Sequence, residues 1–180
     1  MNMLSKWATG RSVLLLLAVF LLFNLVLIPA WYPKFQTLDT LATYTPEQAY
    51  SQIASYGEQG RQQYLVTELT LDALYPLSTA LFFGLLTIYS FRRGFPQHPW
   101  TRWLAVIPLA ELAVDYLENA SVVAMLLRYP AEVPVVAAAA NVFTMAKFAL
   151  TLPELVFVIG LVAWLFRSLR QRARTAAAAG

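Results

Sequence analysis

Residues 12–30 read SVLLLLAVFLLFNLVLIPA, a stretch with no charged side chain and one amide, Asn24. A helix needs about 20 mostly apolar residues to cross the hydrocarbon core of a bilayer, and this stretch has that length. Its apolar run exceeds the roughly 7–15 residues usual in a cleaved signal peptide, so we expect the segment to be retained. The stretch therefore predicts a membrane-spanning helix near the start of the chain.

The chain as a whole has the composition of a membrane protein. Of its 180 residues 59% are hydrophobic and 13% are charged, against roughly 45–50% and about 25% in a typical soluble domain. Further apolar segments follow at residues 65–91, 103–127 and 135–166. Short loops between them favour antiparallel neighbours. The sequence thus predicts an all-α, polytopic protein, a single membrane domain built as an antiparallel bundle of four transmembrane helices. The absence of cysteine excludes thiolate metal sites and thiol chemistry.

Lysine and arginine predict the orientation of the bundle, because cytoplasmic loops carry an excess of both. Basic residues with no acidic residue among them flank one end of the predicted helices: Lys6, Arg11, Arg92, Arg93, Arg102, Arg167, Arg170, Arg172 and Arg174. Tryptophans mark the same interface: Trp7, Trp100, Trp103 and Trp164. We predict a multi-pass protein of the inner (plasma) membrane with both termini in the cytoplasm. The basic tail favours anionic lipid as a partner, and nucleic acid is not expected.

The predicted outer loop covers residues 31–64 and contains one clear helix start. Thr45 can cap the helix, Pro46 suits its first position, and Gln48 can complete a capping box. Apolar residues then follow at helical spacing as far as Gly57. We expect a short amphipathic helix that lies on the membrane surface or over the mouth of the bundle.

Six of the ten acidic residues fall inside the predicted spans, and one lysine, Lys147, joins them. Each charge near the bilayer centre costs about 2.5–3.5 kcal/mol, so such residues should face the bundle interior. Spacings of three and four residues put them on one face of each helix. The predicted ligand-binding residues are Glu68, Asp72, Tyr75, Asp115, Glu118, Asn119 and Lys147. Secondary polar positions are Asn24, Glu111, Asn141, Thr144 and Glu154.

Charge balance and helix geometry refine this cluster. Six carboxyl groups face one ammonium group, so several carboxyl groups must be neutral, and Lys147 should pair with Asp115 or Glu118. At 1.5 Å per residue, Glu111 and Glu154 lie deepest, as a carboxyl pair beneath the others. Pro76, Pro108 and Pro153 each free a backbone carbonyl, and kinks there would open a cavity.

These patterns favour an acidic intramembrane pocket that binds a small amphipathic or cationic ligand, or a lipid, from the outer side. A membrane-embedded enzyme of the lipid-isomerase type would use the same carboxyl groups as acid and base. A proton-coupled transporter would use them as a relay. A structural assembly subunit, or a homo-oligomer, would use a small-residue face at residues 137–140. No motif identifies catalytic residues, and the sequence indicates neither a metal nor a cofactor.

Two segments carry a resemblance to known proteins. Glu68-Leu-Thr-Leu-Asp72-Ala-Leu-Tyr75-Pro76 and Asp115-Tyr-Leu-Glu118-Asn119, followed by Tyr129-Pro130 and Thr144-x-x-Lys147, resemble a pattern in small bacterial four-helix membrane proteins without an assigned activity. The predicted architecture is also similar to the EXPERA group, which includes sterol isomerases and the sigma-2 receptor. Glu68 and Pro76 match the character of that group's second helix. The resemblance implies four helices around an intramembrane polar site.

Overall fold

The computed structural model describes residues 6–95 and 106–178, which are mostly helical and contain no β-strand. The elements are α1 (Gly10–Leu22), a π-helix (Phe23–Leu27), α2 (Ile28–Trp31), a 3₁₀ helix (Leu38–Thr40), α3 (Pro46–Ser55), α4 (Gly57–Gly94), α5 (Val106–Arg128) and α6 (Pro134–Ala178). The predicted interfacial residues Trp100, Arg102 and Trp103 lie outside these ranges, as does the predicted start of the third span.

Among the described residues, three helical segments are long and apolar enough to cross a membrane: Gly10–Trp31, Gly57–Gly94 and Pro134–Ser168. Large apolar side chains on them are exposed, among them Leu14, Leu25 and Val156, as lipid contact requires. Helix α5 has 23 residues and packs between α4 and α6. Its three acidic residues, Glu111, Asp115 and Glu118, all lie within residues 111–118. The all-helical prediction is confirmed, and the apolar helices are compatible with a membrane protein.

The helix that contains the second predicted span is longer than the sequence pattern indicated. It begins at Gly57 rather than residue 65, so the loop predicted at residues 31–64 is eight residues shorter. Gly57 has a φ of +65°, which lets the chain turn sharply from α3 into α4. Glutamate, glutamine and arginine, all good helix formers, then dominate the first two turns of α4. Its 38 residues rise about 57 Å at 1.5 Å per residue, well beyond a hydrocarbon core of about 30 Å.

Helix α3 packs against one end of α5 and α6. Thr45 and Gln48 form a reciprocal capping box at its N-terminus, which accounts for the helix beginning there. Its buried face packs in one apolar cluster with the ends of α5 and α6, a set that includes Ala49, Tyr50, Ile53, Val122, Met125, Ala137 and Ala140. The Tyr50 hydroxyl also accepts a hydrogen bond of 2.6 Å from the Val133 N–H. Helix α3 therefore packs on α5 and α6 through its apolar stripe.

The first span packs along α4 and changes its helical form midway. Phe20 stacks on Phe82 with ring centroids 5.2 Å apart. The π-helix follows, and within it the Asn24 amide donates a 2.8 Å hydrogen bond to the Phe20 carbonyl. A wider turn of this kind accommodates an extra residue within an α-helix, and it is common at functional sites.

At the opposite end from α3, the last residues of α4 lie against α6. Phe95 stacks on Trp164 with ring centroids 5.0 Å apart and an interplanar angle of 12°. Gly94 leaves the room for this arrangement, because a Cβ atom there would lie 2.2 Å from the Trp164 ring. The close approach of the two helices at this end therefore requires a glycine at position 94.

Candidate functional site

The centre of the polar cluster is an ion triad between α5 and α6. The Lys147 Nζ lies 3.2 Å from Asp115 Oδ1 and in closer contact with Glu118 Oε2. The Thr144 hydroxyl donates to the other Glu118 oxygen, Oε1. Glu118 is completely buried, so its charge depends on these partners. The predicted pairing of Lys147 is confirmed, with both predicted carboxyl groups rather than one.

A cavity of about 390 Å³ lies beside this triad. Its charged and aromatic lining groups are Asp39, Asp72, Glu111, Asp115, Lys147, Tyr32 and Tyr75. Apolar groups line much of the remaining wall: Ile28, Pro76, Ala80, Leu112 and Phe148. Four carboxyl groups thus face one ammonium group inside a largely apolar chamber of a size typical for small-molecule sites.

Asp72 is the lining carboxyl group with an unsatisfied oxygen. Its Oδ2 atom is buried and has no hydrogen-bond partner. Its backbone carbonyl is the one that Pro76 deprives of a helical hydrogen bond, and the Asn119 amide donates to it at 2.9 Å. Asn119 therefore satisfies the defect that proline creates, while the Asp72 side chain is left facing the cavity.

Tyr75 and Asn24 connect the first span to the cavity wall. The Tyr75 hydroxyl donates to Asn24 Oδ1 at 3.3 Å, and its ring lies 5.7 Å from that of Phe23. Tyr75 lines the cavity, whereas Asn24 does not. The one amide side chain of the predicted first span thus contacts a lining residue from within the π-helix.

Sequence reasoning missed Asp39, which lies in the 3₁₀ helix of the loop. Its Oδ2 accepts a 2.6 Å hydrogen bond from the Tyr32 hydroxyl, and its Oδ1 accepts one of 2.9 Å from Tyr64. These two bonds bring the loop over the cavity, where Asp39 joins the lining. Helical spacing carries no information on a loop residue, and a Tyr–Asp pair seven residues apart was the sole local signal.

Several predicted residues lie outside the cavity lining. Glu68 is 3% exposed, and neither of its carboxyl oxygens has a hydrogen-bond partner. Asn141 faces the loop instead: its Oδ1 accepts from the Tyr44 N–H at 2.9 Å and from the Thr43 hydroxyl at 3.1 Å. Asn141 therefore anchors the loop to α6. Thr144 supports the ion triad, as described above, and also contacts the Tyr44 hydroxyl at 3.3 Å.

At the far end of the cavity Thr151 donates a hydrogen bond to Glu111. Glu154, one turn further along α6, faces Glu111 and is 7% exposed. Both oxygens of Glu154 lack a hydrogen-bond partner. The predicted carboxyl pair is thus present, with one member in the cavity wall and the other behind it.

Loop tyrosines outside the spans are held in their neutral form. Burial raises the pKa of Tyr44 to about 12. Burial, and next the charge of Asp39, raise the pKa of Tyr32 far above its usual value. The neutral hydroxyl of Tyr32 is therefore available as a donor to Asp39 throughout the physiological pH range.

Comparisons with protein families, curated proteins and solved structures found no match. The resemblances stated above therefore stay predictions. Within residues 6–95 and 106–178, no group of three or more histidine or acidic side chains is placed to hold a metal ion. What the site can do must be argued from its own geometry.

Proposed function

We propose that this protein is a four-span protein of the inner membrane, with both termini in the cytoplasm, whose intramembrane cavity binds a small cationic amphipathic molecule. The fourth span is α5, whose 23 residues rise about 34 Å. Its acidic side chains face neighbouring helices rather than lipid, since Asp115 and Glu118 are buried and Glu111 accepts a hydrogen bond from Thr151 on α6. Acidic side chains that face the protein interior are compatible with a membrane-spanning helix.

Charge balance in the cavity is the observation that carries this proposal. The single lining ammonium group, that of Lys147, is already bound by Asp115 and Glu118. Asp72, Asp39 and Glu111 add three more carboxyl groups to the wall. A ligand with one positive charge would supply the partner that Asp72 Oδ2 lacks. Selectivity for cations over neutral molecules follows from the cost of burying an unpaired carboxylate.

The remaining wall defines the rest of the ligand. Pro76, Leu112 and Phe148 offer an apolar surface, and the rings of Tyr32 and Tyr75 lie in the same lining. Aromatic rings attract cations through their faces. An amine with a compact apolar or aromatic body matches both surfaces. Membrane lipid is the expected surrounding partner, and the amine is expected to enter beneath the 3₁₀ helix that carries Asp39.

The test compares three molecules with similar bodies and different charges: 2-phenylethylamine, 2-phenylethanol and 3-phenylpropionate. The protein is reconstituted in lipid nanodiscs, and binding is measured by ligand-observed NMR. The amine should bind, and the alcohol and the acid should not. Asp72→Asn should weaken amine binding about 10- to 150-fold, the equivalent of a charge-assisted hydrogen bond of about 1.5–3 kcal/mol.

The matched control is Glu132→Gln, which removes a carboxyl group from an exposed position between α5 and α6. This variant should bind the amine as the unmodified protein does. Equal binding of amine and alcohol would refute the role of charge. Unchanged amine binding by Asp72→Asn would refute the role of Asp72.

A further inference from the structure

Glu111 and Glu154 form a second polar site, at the end of the cavity away from the loop. Glu111 lines the cavity and accepts a hydrogen bond from Thr151 through Oε1. Glu154 faces it from α6. Glu154 is 7% exposed, and neither of its oxygens has a hydrogen-bond partner. Glu154 is therefore buried without a hydrogen-bond donor, whereas the neighbouring Glu111 has one in Thr151.

In the part of the chain that the structure describes, neither glutamate forms an ion pair. Lys147 lies nearby on α6, but its ammonium group contacts Asp115 and Glu118. The other titratable groups that line the adjoining cavity are Asp72 and Tyr75 on α4, Asp115 on α5, and Tyr32 and Asp39 from the loop. These side chains add negative charge or remain neutral. Two adjacent carboxylates in this environment would repel each other with no compensation.

We infer that Glu111 and Glu154 bind one proton as a pair and exchange it with the cavity. The proton is held on Glu154, which donates to Glu111 Oε2, while Thr151 donates to Glu111 Oε1. This assignment gives Glu154 a hydrogen-bond partner. It leaves one negative charge, on the Glu111 carboxylate, whose two oxygens both accept hydrogen bonds. Glu111 is the route of exchange because it lines the cavity. The inference concerns a proton and does not depend on any organic ligand.

Infrared difference spectroscopy of the protein in nanodiscs at neutral pH distinguishes the two glutamates. Glu154→Gln should remove one C=O band of a protonated carboxyl group. Glu111→Gln should instead remove a carboxylate band, and it should shift the C=O band of Glu154, whose acceptor has become an amide. In D₂O the wild-type C=O band should shift, because the proton exchanges through the cavity. Glu132→Gln, at an exposed position, should remove only a carboxylate band.

Three results would overturn the inference. Loss of a carboxylate band in both Glu154→Gln and Glu111→Gln would mean that the pair holds no proton. Loss of a protonated-carboxyl band in both variants would mean that each glutamate is separately neutral. A C=O band that is insensitive to D₂O would separate the pair from the cavity. If Glu154→Gln does not fold, Glu154→Asp provides the same test through a displaced band. None of these results depends on amine binding, so this inference and the ligand proposal can fail separately.

Discussion

Replacing Lys147 by methionine tests whether the ion triad holds α5 and α6 together. Methionine retains most of the side-chain volume and removes the ammonium group, so Asp115 and Glu118 lose their shared partner. Glu118 is completely buried and Asp115 is 9% exposed, so water cannot replace that partner. Removing one partner of a buried ion pair costs about 3–5 kcal/mol. We expect a loss of that size in the free energy of unfolding.

The assay is unfolding in mixed micelles by titration with sodium dodecyl sulfate, followed by tryptophan fluorescence. Lys34→Met is the matched control, because Lys34 is exposed and donates to the Pro29 carbonyl, outside the ion triad. Such a surface position should change stability by no more than about 0.5 kcal/mol. Adding Glu118→Gln to Lys147→Met should restore part of the stability, since it removes the stranded charge. A loss below about 1 kcal/mol for Lys147→Met, or no restoration by Glu118→Gln, would refute this account of the triad.

Three further predictions concern the loop and the helix ends. Asn141→Ala leaves the Tyr44 N–H without its acceptor, so we expect a loss of about 1–3 kcal/mol and faster proteolysis of the loop. Asn141→Asp, which keeps an acceptor, should lose less. The pKa of Tyr44 is raised to about 12, so its contribution to stability is complete below pH ~10 and declines as the pH rises toward ~12. Tyr44→Phe should flatten that alkaline decline in a pH series of unfolding titrations. Gly94→Ala should displace the Trp164 ring and cost about 1–3 kcal/mol through overpacking, with a change in tryptophan emission. A variant with unchanged emission would contradict the close approach described there.

The parts of the site on regular helices could be predicted from the sequence. Asp115 and Glu118 are three residues apart, as are Thr144 and Lys147, so each pair shares a helix face before any contact is known. Because an unpaired charge is costly inside a membrane protein, the Lys147 ammonium group is expected to contact the carboxyl groups that face it. The same reasoning paired Glu111 with Glu154, although their depth was known only to within a turn.

The parts that depend on the loop could not be predicted in this way. Asp39 enters the cavity because two tyrosine hydroxyls hold it there, and no periodicity records that path. Asn141 shares a helix face with Thr144 and Lys147, but its position near the start of α6 places it beside the loop backbone. The early start of α4 likewise depends on the backbone of Gly57, whose positive φ joins two helices where the sequence indicated a loop.

The π-helix in the predicted first span affects the rotation of the residues that follow it, but it hardly affects the length of the segment. In terms of register, it is one residue inserted into an α-helix, and each residue turns an α-helix by about 100°. Everything after Leu27, including Tyr32 in the cavity wall, is therefore rotated by more than a quarter turn relative to an uninterrupted helix. Deleting one residue from Phe23–Leu27 would leave a segment still long enough to insert. It would also turn Tyr32 away from Asp39. The length that allows this segment to cross a membrane and the rotation that places Tyr32 beside Asp39 therefore depend on different features of the same helix.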